Sequence, residues 1–294
     1  MKEKFREINL YRTNLILPGE EGEEILISKV TMDTDGNETE RLTIHGDDEP
    51  EERILTRYEN GRPVEEILEI GGEVAERTTR EFNGEGVIIR EWRHYLEGDP
   101  DEIKYMYEAD NLISKISYDS DGDEMEKLLR FYENGRLVRE EEYDSFGNKE
   151  LERTFTYGEA EHPESSVEIR NSGDERTRIV TEFDEAGNVT LEKRYDHRGN
   201  LIARSITTTG EGGRPVKIEE ETVRGKTISI LEYDANGNNI RYKEEDEAGN
   251  PLTEITRAFD TDGRNRMSEV RSEPRQFTPG QHYRLRYEYL PFTE

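Results

Sequence analysis

From Val189 to Tyr195 the chain reads Val-Thr-Leu-Glu-Lys-Arg-Tyr. Val189, Leu191, Lys193 and Tyr195 fall on one side of an extended backbone, and Thr190, Glu192 and Arg194 on the other. A period of two is the signature of a half-buried strand. The C-terminal stretch alternates most cleanly: Tyr283, Leu285, Tyr287 and Tyr289 share one face, and Arg284, Arg286 and Glu288 the other. Glycine recurs about every dozen residues, and the segments between are rich in Thr, Val, Ile and Tyr, so helix is poorly supported.

The strands are punctuated by a repeated turn. Asp-x-x-Gly begins at Asp33, Asp119, Asp144, Asp184, Asp196, Asp234, Asp246 and Asp260, and an aromatic precedes six of the eight. The turn pairs are Asp119 with Gly122, Asp144 with Gly147, Asp184 with Gly187, Asp196 with Gly199 and Asp234 with Gly237. Asp at the first position of a type I turn accepts backbone hydrogen bonds, and the glycine supplies the left-handed residue of a G1 bulge. The preceding aromatics are placed to stack as a ladder. Asn-Gly in "YENGRPV" (Tyr58 to Val64) and "YENGRLV" (Tyr132 to Val138) signals two-residue type I′ hairpins. "GEAEHPESS" (Gly158 to Ser166) and "TTTGEGGRP" (Thr207 to Pro215) read as longer loops.

The pattern predicts an all-β chain: an antiparallel β-hairpin repeat array forming a curved, solenoid-like sheet of roughly 16–20 strands. Residues 1–24 are expected as an N-terminal cap, 25–271 as the array and 272–294 as a capping strand. Pro291 would limit further pairing.

Composition reinforces a thin architecture. Hydrophobic residues make up 31% of the 294 and charged residues 38%, too little apolar matter for a thick two-layer core. The net charge of −29 disfavours nucleic acid and anionic membrane surfaces and favours cations or basic partners. There is no cysteine, hence no disulfide, thiolate metal site or cysteine nucleophile. No secretory h-region or long apolar run is present, so the chain reads as soluble, cytoplasmic or, if processed, secreted or surface-borne.

The "YDHRGNLIARS" and "YDANGNN" units resemble YD repeats of the Rhs type, and "YENGRLV" is similar to repeats of YwqK-like antitoxin proteins. The resemblance spans Ile25 to Arg271. It implies hairpin arrays that coil into a curved sheet, in large Rhs proteins a shell around a toxin. The chain departs from that family in lacking a recognisable toxin domain and a Pro-rich, Asp-flanked self-cleavage region.

Candidate chemistry is sparse. "DTDGN", "DSDGD" and "DTDGR" supply too few ligands for an EF-hand calcium loop. His45, His94, His162, His197 and His282 are never paired at metal-binding spacing, so no metal or cofactor is expected. No nucleophile elbow or phosphate-binding loop occurs, and no enzyme activity is expected. Two stretches carry a binding reading. "VIIREWRHYLEG" holds the single tryptophan, Trp92, with Arg90, Arg93 and Tyr95, residue types enriched at interaction hot spots. Tyr283, Tyr287 and Tyr289 line a strand able to accept a partner's strand if it forms an edge. The function expected is a non-catalytic YD-repeat scaffold presenting a sheet face or edge to a protein partner, without nucleic acid or membrane insertion. The alternatives are an acidic antitoxin or immunity protein neutralising a basic toxin, and a surface glycan-binding module.

Overall fold

A computed structural model describes residues 4–17, 20–44, 50–173, 175–275 and 279–292. The strands are β1 Phe5–Leu17, β2 Glu20–Met32, β3 Glu38–Ile44, β4 Pro50–Glu59, β5 Arg62–Ile70, β6 Glu73–Phe82, β7 Ile88–His94, β8 Asp101–Glu108, β9 Asn111–Tyr118, β10 Glu124–Glu133 and β11 Arg136–Tyr143. They continue as β12 Lys149–Thr156, β13 Ser165–Ser172, β14 Glu175–Phe183, β15 Val189–Tyr195, β16 Leu201–Thr209, β17 Pro215–Thr222, β18 Gly225–Tyr233, β19 Asn239–Asp246, β20 Pro251–Phe259, β21 Asn265–Ser272 and β22 Gln281–Pro291. A single 3₁₀ turn, Glu211–Gly213, is the one helical element among the described residues. It closes a tight β16–β17 connection where the sequence suggested a longer loop.

All 22 strands belong to one sheet. The first strand pairs with the last: Ile8 lies opposite Tyr289, Leu10 opposite Tyr287 and Arg12 opposite Leu285, antiparallel. The expected open, solenoid-like array is therefore corrected to a closed sheet, a 22-stranded barrel in topology. The physical reason lies in the edges. A single-layer sheet this wide has no second layer to cover its end strands, and closure pairs their N–H and C=O groups. The strand count exceeds expectation because turns such as Gly71–Gly72 (φ 59° and 83°) and the one at Ala109 (φ 52°) have weak signatures.

The chain divides into two compact units. In the first (Met1–Ile103, Asp119–Asp123 and Ile255–Glu294), strand pairing runs β21–β22–β1–β2–β3–β4–β5–β6–β7. In the second (Lys104–Tyr118 and Glu124–Glu254), it runs from β9 through β19, each strand antiparallel to the next.

The buried apolar residues among those described are Ile44, Ile103 and Leu151, while Glu91, Glu140, Glu141 and Glu168 are buried too. Both faces carry charge at mid-strand. In the first unit, one row of cross-strand neighbours reads Ile8, Val30, Arg41, Ile54, Leu68, Glu76, and the opposite face reads Asn9, Lys29, Leu42, Arg53, Glu69. In the second unit the rows are Arg130, Glu140, Arg153, Glu168, Ile179, Arg194 and, opposite, Phe131, Arg139, Thr154, Val167, Val180, Lys193. A barrel in lipid needs one face continuously apolar for about 25 Å. Each of these four rows is interrupted by charged residues. No helix among the described residues is long and apolar enough to cross a membrane.

Candidate functional site

The repeated turns are built from the aspartate outward. At Asp184, the Gly187 N–H donates to the Asp184 carbonyl at 3.0 Å, and the Ala186 and Asn188 N–H groups donate to Oδ1 at 3.0 and 2.8 Å. The Asn188 carboxamide then donates to Oδ2 at 3.0 Å. The same set recurs at Asp144, Asp196 and Asp234, and Asp119 Oδ1 accepts from Asp121 and Asp123 N–H. Gly122, Gly147, Gly187, Gly199 and Gly237 have φ between 76° and 85°, the left-handed residue of each bulge. Amide donation from the following asparagine, joined by backbone N–H groups, holds the Asp144, Asp184, Asp196 and Asp234 carboxyls below the usual range. Both carboxylate oxygens are thus engaged inside the turn. No group of three or more His, Asp or Glu among the described residues is placed to hold a metal ion; His45 lies outside the described residues.

Asn83 builds a further turn of this kind. Its Oδ1 accepts from Glu85 and Val87 N–H at 3.0 and 2.9 Å, an asparagine doing the work of the aspartate. A second device went unread in the sequence. Arg62, Arg136 and Arg214 each follow a turn glycine, and each lays its guanidinium over the aromatic ending the next strand: Phe82 at 5.9 Å, Tyr157 at 5.2 Å and Tyr233 at 5.9 Å. The Tyr157 and Tyr233 hydroxyls donate back to the carbonyls of Leu137 and Pro215, both at 2.9 Å. The signal was Gly-Arg after one turn and an aromatic before the next.

Rings therefore meet cations instead of stacking as a ladder. Arg139 covers its cross-strand partner Phe131 at 4.0 Å, and Arg178 covers Tyr195 at 5.2 Å. Carboxylates bridge the remaining cations. Glu140 accepts from Arg130 Nε at 2.8 Å and lies 3.4 Å from Arg153, which also donates Nε to Glu168 at 2.8 Å; Arg170 closes on Glu168 from its other side. These five charges form one continuous ladder across β10 to β13. Burial works against the Glu168 carboxylate, but hydrogen bonds from Arg170 and Arg153 hold its pKa below the usual range.

The two stretches singled out for binding are placed differently. Trp92 and Arg90 point to one face of β7, opposite Thr79 and Glu81, while Arg93 lies opposite Thr78 on the other face. Arg93 Nε is 3.3 Å from Glu91, and Arg90 Nε is 3.6 Å from Glu102. Tyr95 lies just past the strand end and is exposed. Desolvation, joined by the Asp101 and Glu76 charges, raises its hydroxyl pKa. These four residues do not converge.

Tyr283, Tyr287 and Tyr289 share a face of β22, but β22 is flanked by β21 and β1 and offers no edge. Arg12 covers Tyr283 at 4.1 Å, and Tyr289 packs 5.3 Å from Phe5 and donates to the Asn265 carbonyl at 3.1 Å. On the opposite face, Arg286 lies over Tyr11 at 4.1 Å and forks Glu24 on β2 through Nε and Nη2 at 2.9 and 2.8 Å. One guanidinium thus spans all three strands of the closing seam. Parts of both expected caps (1–3, 18–19, 276–278, 293–294) lie outside the described residues; the rest enters the sheet as β1, the start of β2, and β22.

No protein-family model matches the chain, and no curated protein matches it. Among solved structures it is similar to a porin-like protein from Bacteroides uniformis ATCC 8492, with 10% identity over 97% of both chains and a TM-score of 0.33. It is also similar to a TcdB2-TccC3 structure, with 13% identity, 94% of this chain against 19% of that one, and a TM-score of 0.27. Neither score carries a functional argument.

The expected YD-repeat, Rhs-like or YwqK-like membership is corrected: no family model supports it, and the sheet closes where an open array would end. Its functions go with it. The strand expected to offer an edge, β22, is paired on both sides, and the antitoxin and glycan alternatives gain no support from any matching family. The protein is an all-β chain whose first and last strands pair to close one sheet.

Proposed function

We propose that this chain is a barrel-type binding protein, working at a surface or in a secreted setting, whose acidic exterior takes a basic protein partner. The observation that carries this reading is the fate of its cations. Arg and Lys side chains are drawn into ladders with glutamates or laid over rings, as at Arg153, Arg286 and Arg139. Carboxylates nevertheless outnumber Lys and Arg, 70 to 41. The surplus is negative, faces solvent, and steers cationic partners from a distance.

The test is fluorescence anisotropy with an oligolysine peptide and a length-matched oligoglutamate, at low and physiological salt. Saturable binding of the lysine peptide alone, weakening with salt, is expected. Equal binding of both peptides, or none at low salt, would overturn the reading.

A further inference from the structure

Asn9, on β1, is only 6% exposed. Its cross-strand neighbours are Lys29 on β2 and Glu288 on β22. Glu7 stands two residues away on the same face of β1. A carboxamide, an amine and two carboxylates thus meet at one point of the sheet, all within the first unit.

Glu7 joins the amide to the amine, one oxygen to each. Its Oε1 accepts from Asn9 Nδ2 at 2.9 Å, and its Oε2 lies 2.7 Å from Lys29 Nζ. Residues directly opposite on neighbouring strands have Cβ atoms about 4.5–5.5 Å apart, within the span of a lysine stem. Glu288 Oε2 accepts from the same Nδ2 at 3.4 Å and is itself held by the Tyr11 hydroxyl at 2.9 Å. Asn9 Oδ1 is buried and accepts no hydrogen bond among the described residues. The amide is held through its nitrogen, the atom that departs when an amide is exchanged.

Burial works against the Glu7 carboxylate, but hydrogen bonds from Lys29 and Asn9 hold its pKa below the usual range. The resting form is an ion pair. One proton passed within that pair gives a neutral amine beside a carboxylic acid, a nucleophile and a general acid together.

We propose that Lys29 and Asn9 condense into an isopeptide bond, a self-made covalent link between β1 and β2, with Glu7 as the acid–base group. Lys29 Nζ gives a proton to Glu7 and attacks Asn9 Cγ. The Nζ–Cγ bond forms and the Cγ–Nδ2 bond breaks. Two protons from Nζ, relayed through Glu7, end on the departing nitrogen, which leaves as ammonium beside Glu288. Glu7 returns to its carboxylate, and no oxidant, cofactor or further reactant is consumed. Fixed strand register replaces a chance encounter of the two groups, worth orders of magnitude in rate. The reaction runs once per chain.

The experiment is intact-mass measurement in denaturant before and after incubation at neutral pH, followed by tryptic mapping. The wild-type chain should fall by the mass of one ammonia, and the tryptic segments 7–12 and 13–41 should be recovered as one branched species. Lys29→Arg, which keeps a cation for Glu7, should show neither change, and nor should Glu7→Gln. A wild-type chain that keeps its sequence mass, with cleavage after Lys29, would overturn the proposal. So would an ammonia loss that persists in Lys29→Arg, which would mark ring closure at another asparagine. A bond formed equally in Glu7→Gln would overturn the acid–base assignment. Circular dichroism shows whether each variant keeps its fold, and if Glu7→Gln does not, Lys29→Arg carries the comparison.

Discussion

The Arg214 guanidinium lies 5.9 Å over the ring of Tyr233, one strand away, while the Tyr233 hydroxyl donates back to the Pro215 carbonyl at 2.9 Å. The two side chains cross between neighbouring hairpins, and the turn that follows must leave room for them. A Cβ built on Gly237 would stand 2.2 Å from Arg214 Nη2. Glycine there serves both a left-handed backbone and a close approach.

Two alanine variants separate these roles. Gly199 has φ 83° with nothing within 4 Å of its Cβ position, and Gly237 has φ 84°. Gly199→Ala should lose roughly 1 kcal/mol to backbone strain. Gly237→Ala should lose about 0.5–1 kcal/mol more, the worth of the displaced cation–ring contact. Urea unfolding measures both, and equal losses would show that the arginine contact contributes nothing.

Glu168 sits under two arginines in the ladder. Glu168→Gln should destabilise the fold by about 1–3 kcal/mol, because Arg153 and Arg170 lose their charged acceptor. A Glu168→Gln chain as stable as wild type would remove the ladder from any account of stability.

The same carboxylate sets a direction for pH. Its folded pKa lies below the ordinary glutamate value, as do those of the turn aspartates Asp144, Asp184, Asp196 and Asp234. Stability from a depressed pKa is fully present above the unfolded value, about 4, and is lost as pH falls through the folded one. Chemical denaturation from pH 7 to 3 should show stability falling below about pH 4, more shallowly in Glu168→Gln. Relief of repulsion within a chain of net charge −29 works the other way. A stability that rises throughout the acid range would mean repulsion outweighs these contacts.

Arg286 holds the seam through a planar fork. Arg286→Lys keeps the charge but not the two parallel bonds, and both partners are partly exposed, so roughly 0.5–1 kcal/mol should be lost. Hydrogen exchange should accelerate at the amides of β1 and β22 and stay unchanged in β13. Uniform acceleration would mean that the fork does not act locally.

Ala109 turns with φ 52°, a conformation that alanine resists. Ala109→Gly should raise stability by about 0.5 kcal/mol, read as a higher urea midpoint. A lower midpoint would place the strain elsewhere.

The local grammar was legible because it is local. Asp184, Gly187 and Asn188 set one turn from within five residues, and Val189 to Tyr195 set one strand by period two. Closure was not legible, because it depends on residues from opposite ends of the chain: nothing in Ile8 or Tyr289 alone names the other. The Tyr283–Tyr289 face read as a free strand for the same reason. Asn83 escaped the Asp-x-x-Gly search although its carboxamide oxygen accepts the same two bonds.

The seam also orders events in time. Asn9 and Glu288 are hydrogen-bonded partners 279 residues apart, and a ribosome adding about 5–20 residues per second needs roughly 15–60 s to make the stretch between them. Throughout that interval the side of β1 that pairs with β22 has its backbone groups unpaired. Its own sequence carries the protection a waiting strand requires, with Glu7, Arg12 and Asn14 set among its apolar residues. Of these 22 strands the first to be translated is one of the last to be satisfied, and a nascent chain that stalls before β22 is left with an adhesive flank.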